Sequence, residues 1–108
     1  MIVRQAFFEG QIHAGREDAF KDYVAKTLMP MWLAFPGIRD VKVLYAVERD
    51  EGAPPYPMVL WTQYDSRDAL AKALSSPIRY ESREATKGLL AMFDGHIHHH
   101  VFELEQES

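Results

Sequence analysis

The chain contains no cysteine and no asparagine among its 108 residues. The absence of cysteine excludes disulfide bonds, thiolate metal sites and a cysteine nucleophile, and it is typical of the reducing cytoplasm. No apolar run approaches the roughly 20 residues that a membrane-spanning helix needs. The N-terminus also lacks the basic lead and long apolar stretch of a signal peptide. We therefore expect a cytoplasmic protein that has no membrane partner.

The chain also lacks a basic cluster. Its formal net charge is −4 and its lysines and arginines are scattered, which argues against a nucleic-acid partner. The sequence motifs of P-loop nucleotide hydrolases, serine hydrolases and HExxH metalloproteases are absent as well. With 47% hydrophobic and 26% charged residues, the composition is that of an ordinary globular protein. We predict a single domain over residues 1–108.

Two periodicities alternate along the chain. Alternating apolar residues predict four strands, over residues 2–12, 38–48, 58–64 and 95–105. Apolar residues every three to four positions predict a helix over residues 15–35, which Pro30 should kink or divide near its end. The same spacing predicts two further helical segments, over residues 65–76 and 77–93, separated at Pro77. The resulting order is β-α-β-β-α-β.

This order predicts an α+β, ferredoxin-like fold, in which both helical regions cover one face of a four-stranded antiparallel sheet. Both sets of alternating strand residues are apolar. In the second strand, for example, Val41 and Val43 lie on one side and Leu44 and Ala46 on the other. A sheet that is apolar on both faces needs a second cover, and a second copy of the chain is the simplest one. We therefore expect a homodimer formed through the open sheet faces.

Four segments resemble parts of the dimeric α/β-barrel superfamily, in particular its EthD-like and antibiotic-biosynthesis-monooxygenase-like proteins: IHAGREDAFKDYV, FPGIRDVKVLY, YDSRDALAKALSSP and FDGHIHHHVFEL. The resemblance implies that two ferredoxin-like subunits pack their sheets into a barrel. The superfamily includes cofactor-free monooxygenases, lactone isomerases, heme enzymes and members of unknown role. Its heme-degrading members rely on an Asn, a Trp and a His, where this chain has Phe8, Ala73 and Arg83. Heme degradation is therefore not expected.

Four of the five histidines lie within the segment GHIHHHVFELE, residues 95–105. In a strand, His96, His98 and His100 project from one face and His99 projects from the other. A neutral imidazole can accept a proton at pH 7. We therefore predict His98, His96 and His100 as the candidate catalytic bases. The alternative is a polar strand face at the barrel rim, whose imidazoles are satisfied by water and neighbouring carbonyls.

The substrate is expected between the helices and the sheet, where such folds form an apolar pocket. Arg4, which lies among apolar neighbours in the first strand, needs a partner for its charge. The preferred interpretation is a salt bridge across the dimer interface, and the alternative is a catalytic role in which Arg4 anchors a carboxylate or phenolate ligand. Large apolar side chains would hold a flat ligand by stacking. The predicted pocket residues are Trp61, Tyr45, Tyr64, Trp32 and Met31.

These features predict a small monooxygenase-like or isomerase-like enzyme that acts on an apolar or aromatic small molecule and uses no cofactor. One alternative is a non-catalytic, EthD-like dimer that binds a small molecule or serves as an accessory protein. The other is a metal-binding dimer in which His96 and His98, or His98 and His100, share an ion. Such a pair would need a third ligand from His13, a carboxylate or the partner subunit. No residue is therefore assigned as a metal ligand, and whether the chain is an enzyme is left open.

Overall fold

The computed structural model describes residues 1–105 and contains the strands β1 (Ile2–Ile12), β2 (Asp40–Tyr45), β3 (Met58–Tyr64) and β4 (Phe93–Glu103). They form one antiparallel sheet in the order β2-β3-β1-β4. The helices are α1 (Glu17–Tyr23), α2 (Met29–Leu33), α3 (Arg67–Leu74) and α4 (Pro77–Leu90), and a π-helical turn, Val24–Leu28, joins α1 to α2. The predicted ferredoxin-like fold is confirmed. A single domain over residues 1–108 stays a prediction, and its last three residues lie outside the described ones.

The core lies between the helices and one face of the sheet. Phe8 of β1 and Met58 of β3 pack there with Phe20 of α1 and Leu89 of α4, and all four are at most 2% exposed. Successive residues of a strand point to opposite faces of the sheet. The strand residues that directly precede or follow Phe8 and Met58 therefore lie on the other face, which we call the open face. No helix within residues 1–105 is long and apolar enough to cross a membrane.

The first helical region stays helical past Pro30, where the sequence predicts a kink or a division. Proline has no N–H to donate and its ring clashes with the preceding turn of an α-helix. Just before Pro30 the helix widens, and the N–H of Met29 donates to the carbonyl of Val24, five residues earlier. Such π-helical turns add one residue to a helix without ending it. The chain therefore keeps both Phe20 and Trp32 in the core.

The longest strand pair, β1 with β4, runs from Ile2 opposite Glu103 to Ile12 opposite Phe93. Gly10 lies opposite Gly95 in this pair, and the two have φ angles of +144° and +150°. A Cβ atom on Gly10 would overlap the carbonyl oxygen of Asp94. The close approach of the two backbones requires glycine on both strands.

Candidate functional site

A cavity of about 650 Å³ lies between the sheet and the helices. This volume is within the usual range for sites that bind small molecules. Its apolar wall includes Trp32 and Phe35 from the end of the first helical region and Leu60 from β3. Its polar lining comes from the centre of the sheet and from α4, and it includes Arg4, Thr62, Tyr64, Arg79, Arg83 and His99.

Arg4 is half-buried on the helix-covered face of β1, at the cavity. Its backbone carbonyl accepts a hydrogen bond of 2.9 Å from Thr62 Oγ1. Burial and then the charge of Arg79 lower the pKa of Arg4, while the nearby Tyr64 raises it. An arginine remains charged in proteins, and no carboxylate within residues 1–105 forms an ion pair with this one. Arg4 therefore brings a positive charge to the cavity rather than to the open face.

Tyr64 lies beside Arg4 and is only 2% exposed. Burial raises the pKa of its hydroxyl, and the charge of Arg4 and a hydrogen bond with Thr62 offset part of that effect. The phenol is therefore protonated at neutral pH and can donate a hydrogen bond to a ligand oxygen.

His99 is the histidine that reaches the cavity. It lies opposite Ala6 and diagonal to Arg4 in the register of β1 with β4. Partial burial, followed by the charges of Arg4 and Arg79, lowers the pKa of His99 to about 4. The side chain stays accessible to water. Its imidazole is neutral at pH 7.

The predicted pocket residues divide between several places in the fold. Trp32 and Tyr64 line the cavity. Trp61 lies on the opposite face of the sheet, where Lys42 Nζ is 4.3 Å from the centre of its ring. Tyr45 lines a separate, open depression beside the loop of residues 46–57. Met31 is half-buried in α2 and outside the lining of both.

The three candidate bases lie on the open face of the sheet, because they alternate with His99 along β4. The ring of Phe7 stacks on His98 with centroids 5.6 Å apart, and its edge contacts His100 at 5.3 Å. The strand therefore brings His99, and not His96, His98 or His100, into the helix–sheet cavity.

Glu9 joins two of these histidines on the open face. Its Oε1 atom lies 4.0 Å from His96 Nε2 and 3.9 Å from His98 Nδ1. One donor atom from each of the three residues lies within 4.8 Å of the others. His13 is separate from this group, and its Nε2 lies 3.0 Å from Asp94 Oδ1.

Sequence reasoning missed Glu9, and it also missed the arginines that α4 supplies to the cavity. Arg79 and Arg83 are four residues apart and so share one face of the helix. That spacing is visible in the sequence, although nothing in it shows that this face meets the cavity. Glu9 has no comparable signal, because it is one polar residue within the first predicted strand, residues 2–12.

No protein-family model and no curated protein sequence matches this chain, but solved structures do. An EthD-family protein from Bacillus halodurans C-125 superposes with a TM-score of 0.76 at 20% identity, covering 97% of this chain and 100% of that one. SnoaB, a cofactor-independent oxygenase from Streptomyces nogalater, gives a TM-score of 0.67 at 18% identity, with 98% and 94% covered.

A dimeric, ferredoxin-like protein of unknown function from Bacteroides fragilis also matches, with a TM-score of 0.67 at 11% identity and 95% of both chains covered. Candidate antibiotic biosynthesis monooxygenases are among the other matches. At such identities the likeness is one of fold. This chain has the ferredoxin-like fold of the EthD-family and antibiotic-biosynthesis-monooxygenase-like proteins, as its resemblance to them implied.

Proposed function

We propose that this protein is a cofactor-independent oxygenase that binds a flat aromatic molecule with an acidic oxygen in the helix–sheet cavity. The observation that carries the proposal is the cavity itself, which combines an apolar wall with Arg4, Tyr64 and His99 at its polar side. The likeness of fold to SnoaB supports the same general class.

The apolar wall suits a flat ring system. Trp32 and Phe35 offer aromatic surface, and Leu60 offers aliphatic surface. Aromatic side chains gain more from contact with another ring than buried area alone provides, by about 0.5–1.5 kcal/mol per pair. A ligand with one or two fused rings fits both the volume and this wall.

The polar side of the cavity suits an anion. Arg4, Arg79 and Arg83 line it, whereas Glu84 is its one acidic lining residue within residues 1–105 and forms a hydrogen bond of 3.0 Å with Lys87. Hydrogen bonds between a guanidinium and a carboxylate or phenolate are about twice as strong as neutral ones. The cavity therefore favours a carboxylate, phenolate or enolate over a neutral aromatic molecule.

This arrangement can also activate a ligand toward oxygen. Arg4 stabilises a developing oxyanion and Tyr64 donates a hydrogen bond to it, whereas the low pKa of His99 means that the departing proton passes to water rather than staying on this imidazole. Oxygenation without a cofactor requires a substrate that itself supplies electrons to O₂, and a phenolate or enolate does so more readily than its neutral form. The cavity holds the groups that would favour that anion.

We further propose that the protein is a homodimer in which two open sheet faces meet. Leu44 and Phe102 are 48% and 45% exposed on this face, and Trp61 and Phe7 lie half-buried beside them. These apolar side chains share the face with Lys42, Glu9 and three histidines, and burial of exposed apolar side chains is a usual reason for association of like chains. The fold relative from Bacteroides fragilis is a dimeric protein.

Calorimetry with two matched probes tests the ligand class. The anion 3-hydroxy-2-naphthoate is expected to bind more tightly than the neutral 3-hydroxy-2-naphthamide. Arg4→Gln should weaken binding of the anion by about tenfold or more, the effect of losing a hydrogen bond to a charged group. Arg67→Gln, which changes an exposed arginine outside the cavity, should leave it unchanged. Equal binding of the two probes would contradict the proposal.

Oxygenase activity is tested with ¹⁸O₂ and the probe that binds, using protein treated with a chelator. The expected product is the quinone, in which a ring C–H and the phenol O–H have been replaced by two C=O groups. It carries one ¹⁸O atom, the second atom of O₂ leaves as water, and Arg4→Gln should slow its formation. Tight binding without incorporation would favour the non-catalytic, EthD-like alternative over an enzyme.

A further inference from the structure

Glu9, His96 and His98 are neighbours on the open face of β1 and β4. The register places Glu9 directly opposite His96, and His98 follows two residues later on the same face. Residues that face each other in an antiparallel pair hold their Cβ atoms about 4.5–5.5 Å apart. The backbone therefore brings the three side chains together.

The separations of their donor atoms are too long for direct hydrogen bonds and suit a shared ion. Glu9 Oε1 lies 4.0 Å from His96 Nε2 and 3.9 Å from His98 Nδ1. In tetrahedral zinc sites, bonds of roughly 2.0–2.1 Å hold the ligand atoms about 3.3 Å apart. Small side-chain rotations close the remaining difference while the two strands stay in place.

We propose that Glu9, His96 and His98 bind a divalent transition-metal ion, with Zn²⁺ as the best fit. Two imidazoles and one carboxylate form a ligand set that zinc accepts. Magnesium and calcium prefer oxygen ligands, so the two imidazoles select against them. All three donors come from the sheet, so the fourth tetrahedral position faces away from it and is open to water.

The site is rigid on one side and accessible on the other. The stacked ring of Phe7 and the edge of Tyr56, whose centroid is 5.7 Å from that of His98, hold this imidazole in place. The side chains of Glu9 and His98 are each 32% exposed and that of His96 is 69% exposed, so an ion can reach them from solvent. A preorganised ligand loses less entropy when it binds.

His100 is the next histidine along the row; its ring lies edge-on to that of His98 with centroids 5.6 Å apart, but it does not belong to the group of three donors. Its ring stacks on Phe102 with an interplanar angle of 12° and a centroid distance of 5.9 Å. His100 therefore provides a matched control on the same strand and the same face.

This site lies on the opposite side of the sheet from the cavity, so it is independent of the proposed oxygenase function. Two copies that face each other across the open face would bring two such sites to one interface. Water or a side chain of the partner subunit would then take the fourth position.

Calorimetric titration of untagged protein tests the site, after purification without a metal column and treatment with a chelator. We expect one Zn²⁺ per chain. Glu9→Gln and His98→Gln should each weaken binding by at least about tenfold, because losing even a hydrogen-bonded partner of a metal ligand costs about that much. His100→Gln should bind like the wild type. In NMR spectra, the imidazole signals of His96 and His98 should shift on addition of Zn²⁺ while that of His13 stays in place.

Three results would overturn the proposal. The first is a wild-type protein that takes up no Zn²⁺, and the second is a Glu9→Gln variant that binds it as tightly as the wild type. The third is a His100→Gln variant that loses as much affinity as His98→Gln. Circular dichroism and thermal unfolding of the metal-free variants separate loss of a ligand from loss of the fold.

Discussion

Gly10 and Gly95 face each other across β1 and β4 so closely that neither strand has room for a Cβ atom. Gly10→Ala is therefore expected to lower the free energy of unfolding by about 2–4 kcal/mol, through backbone strain at its positive φ and overlap with Asp94. Urea titration measures this loss. The variant should also bind Zn²⁺ more weakly, because the facing positions of Glu9 and His96 depend on this contact.

Gly52→Ala is the matched control for that prediction. Gly52 also has a positive φ, +84°, but a Cβ atom there would meet nothing within 4 Å. Gly52→Ala should lower the free energy of unfolding only by the cost of placing alanine in left-handed backbone, about 1–2 kcal/mol. Equal losses for the two variants would mean that the strands move apart without cost.

Tyr23 and Gly88 form a second contact that excludes a side chain. The hydroxyl of Tyr23 donates a hydrogen bond of 2.6 Å to the carbonyl of Ala85, and a Cβ atom on Gly88 would overlap this hydroxyl. Replacing glycine by alanine inside a helix normally stabilises it by about 1 kcal/mol. Here Gly88→Ala should instead destabilise the protein by about 1–3 kcal/mol, the usual cost of overpacking.

A double-mutant cycle distinguishes the two effects. In a Tyr23→Leu background the hydroxyl and the end of the ring are gone, so Gly88→Ala should become neutral or stabilising. Thermal unfolding of the four proteins provides the comparison. If Gly88→Ala has the same effect with tyrosine and with leucine at position 23, the contact does not restrict position 88.

The buried phenol of Tyr64 predicts a loss of stability in alkaline solution. Burial raises its pKa above the ordinary value of 10.0. Above about pH 10 the unfolded chain therefore loses this proton first, so stability that is complete below pH 10 falls as the pH rises. Tyr64→Phe should make the free energy of unfolding less dependent on pH in this range. Urea titrations between pH 8 and about 11 provide the measurement, and equal slopes for both proteins would contradict the prediction.

The dimer prediction is tested with two leucines of similar exposure. Leu44 lies on the open sheet face and is 48% exposed, whereas Leu33 lies in α2 and is 57% exposed. Leu44→Glu should shift the protein from dimer to monomer, because it places a charge in the apolar interface, and Leu33→Glu should leave the dimer intact. Light scattering over a range of concentrations reports the outcome. A monomeric wild type, or dimers of both variants, would contradict the interface.

Much of the fold is predictable from the sequence because local signals agree with the tertiary structure. The strand predicted over residues 58–64 is observed with the same bounds, since Pro57 precedes it and Ser66 caps the helix that follows. The second strand was predicted over residues 38–48 but spans Asp40–Tyr45. Its apolar pattern continues past Tyr45, but β3 begins opposite that residue at Met58. The length of the partner strand sets this end.

The site is less predictable, for a related reason. Alternation along β4 separates His99 from the other three histidines of its segment, and this is readable in the sequence. The sequence does not show which of these two sets of histidines faces the helices, because both faces of the sheet carry apolar residues. Only the pairing of His99 with Ala6 resolves it. Long-range register likewise brings Glu9 to His96, and the sequence contains no direct signal for it.

A single peptide bond joins His98, on the outer face of β4, to His99 at the cavity. A one-residue insertion or deletion between Gly95 and His98 would exchange the two faces for every residue that follows. Because three histidines follow one another, a deletion would still leave an imidazole beside Glu9, the former His99, and one at the cavity, the former His100. An insertion before Ile97 would instead place Ile97 beside Glu9. The consecutive histidines of β4 therefore make both sites more tolerant of a deletion in this strand than of an insertion, whereas Gly95 itself cannot be replaced without strain.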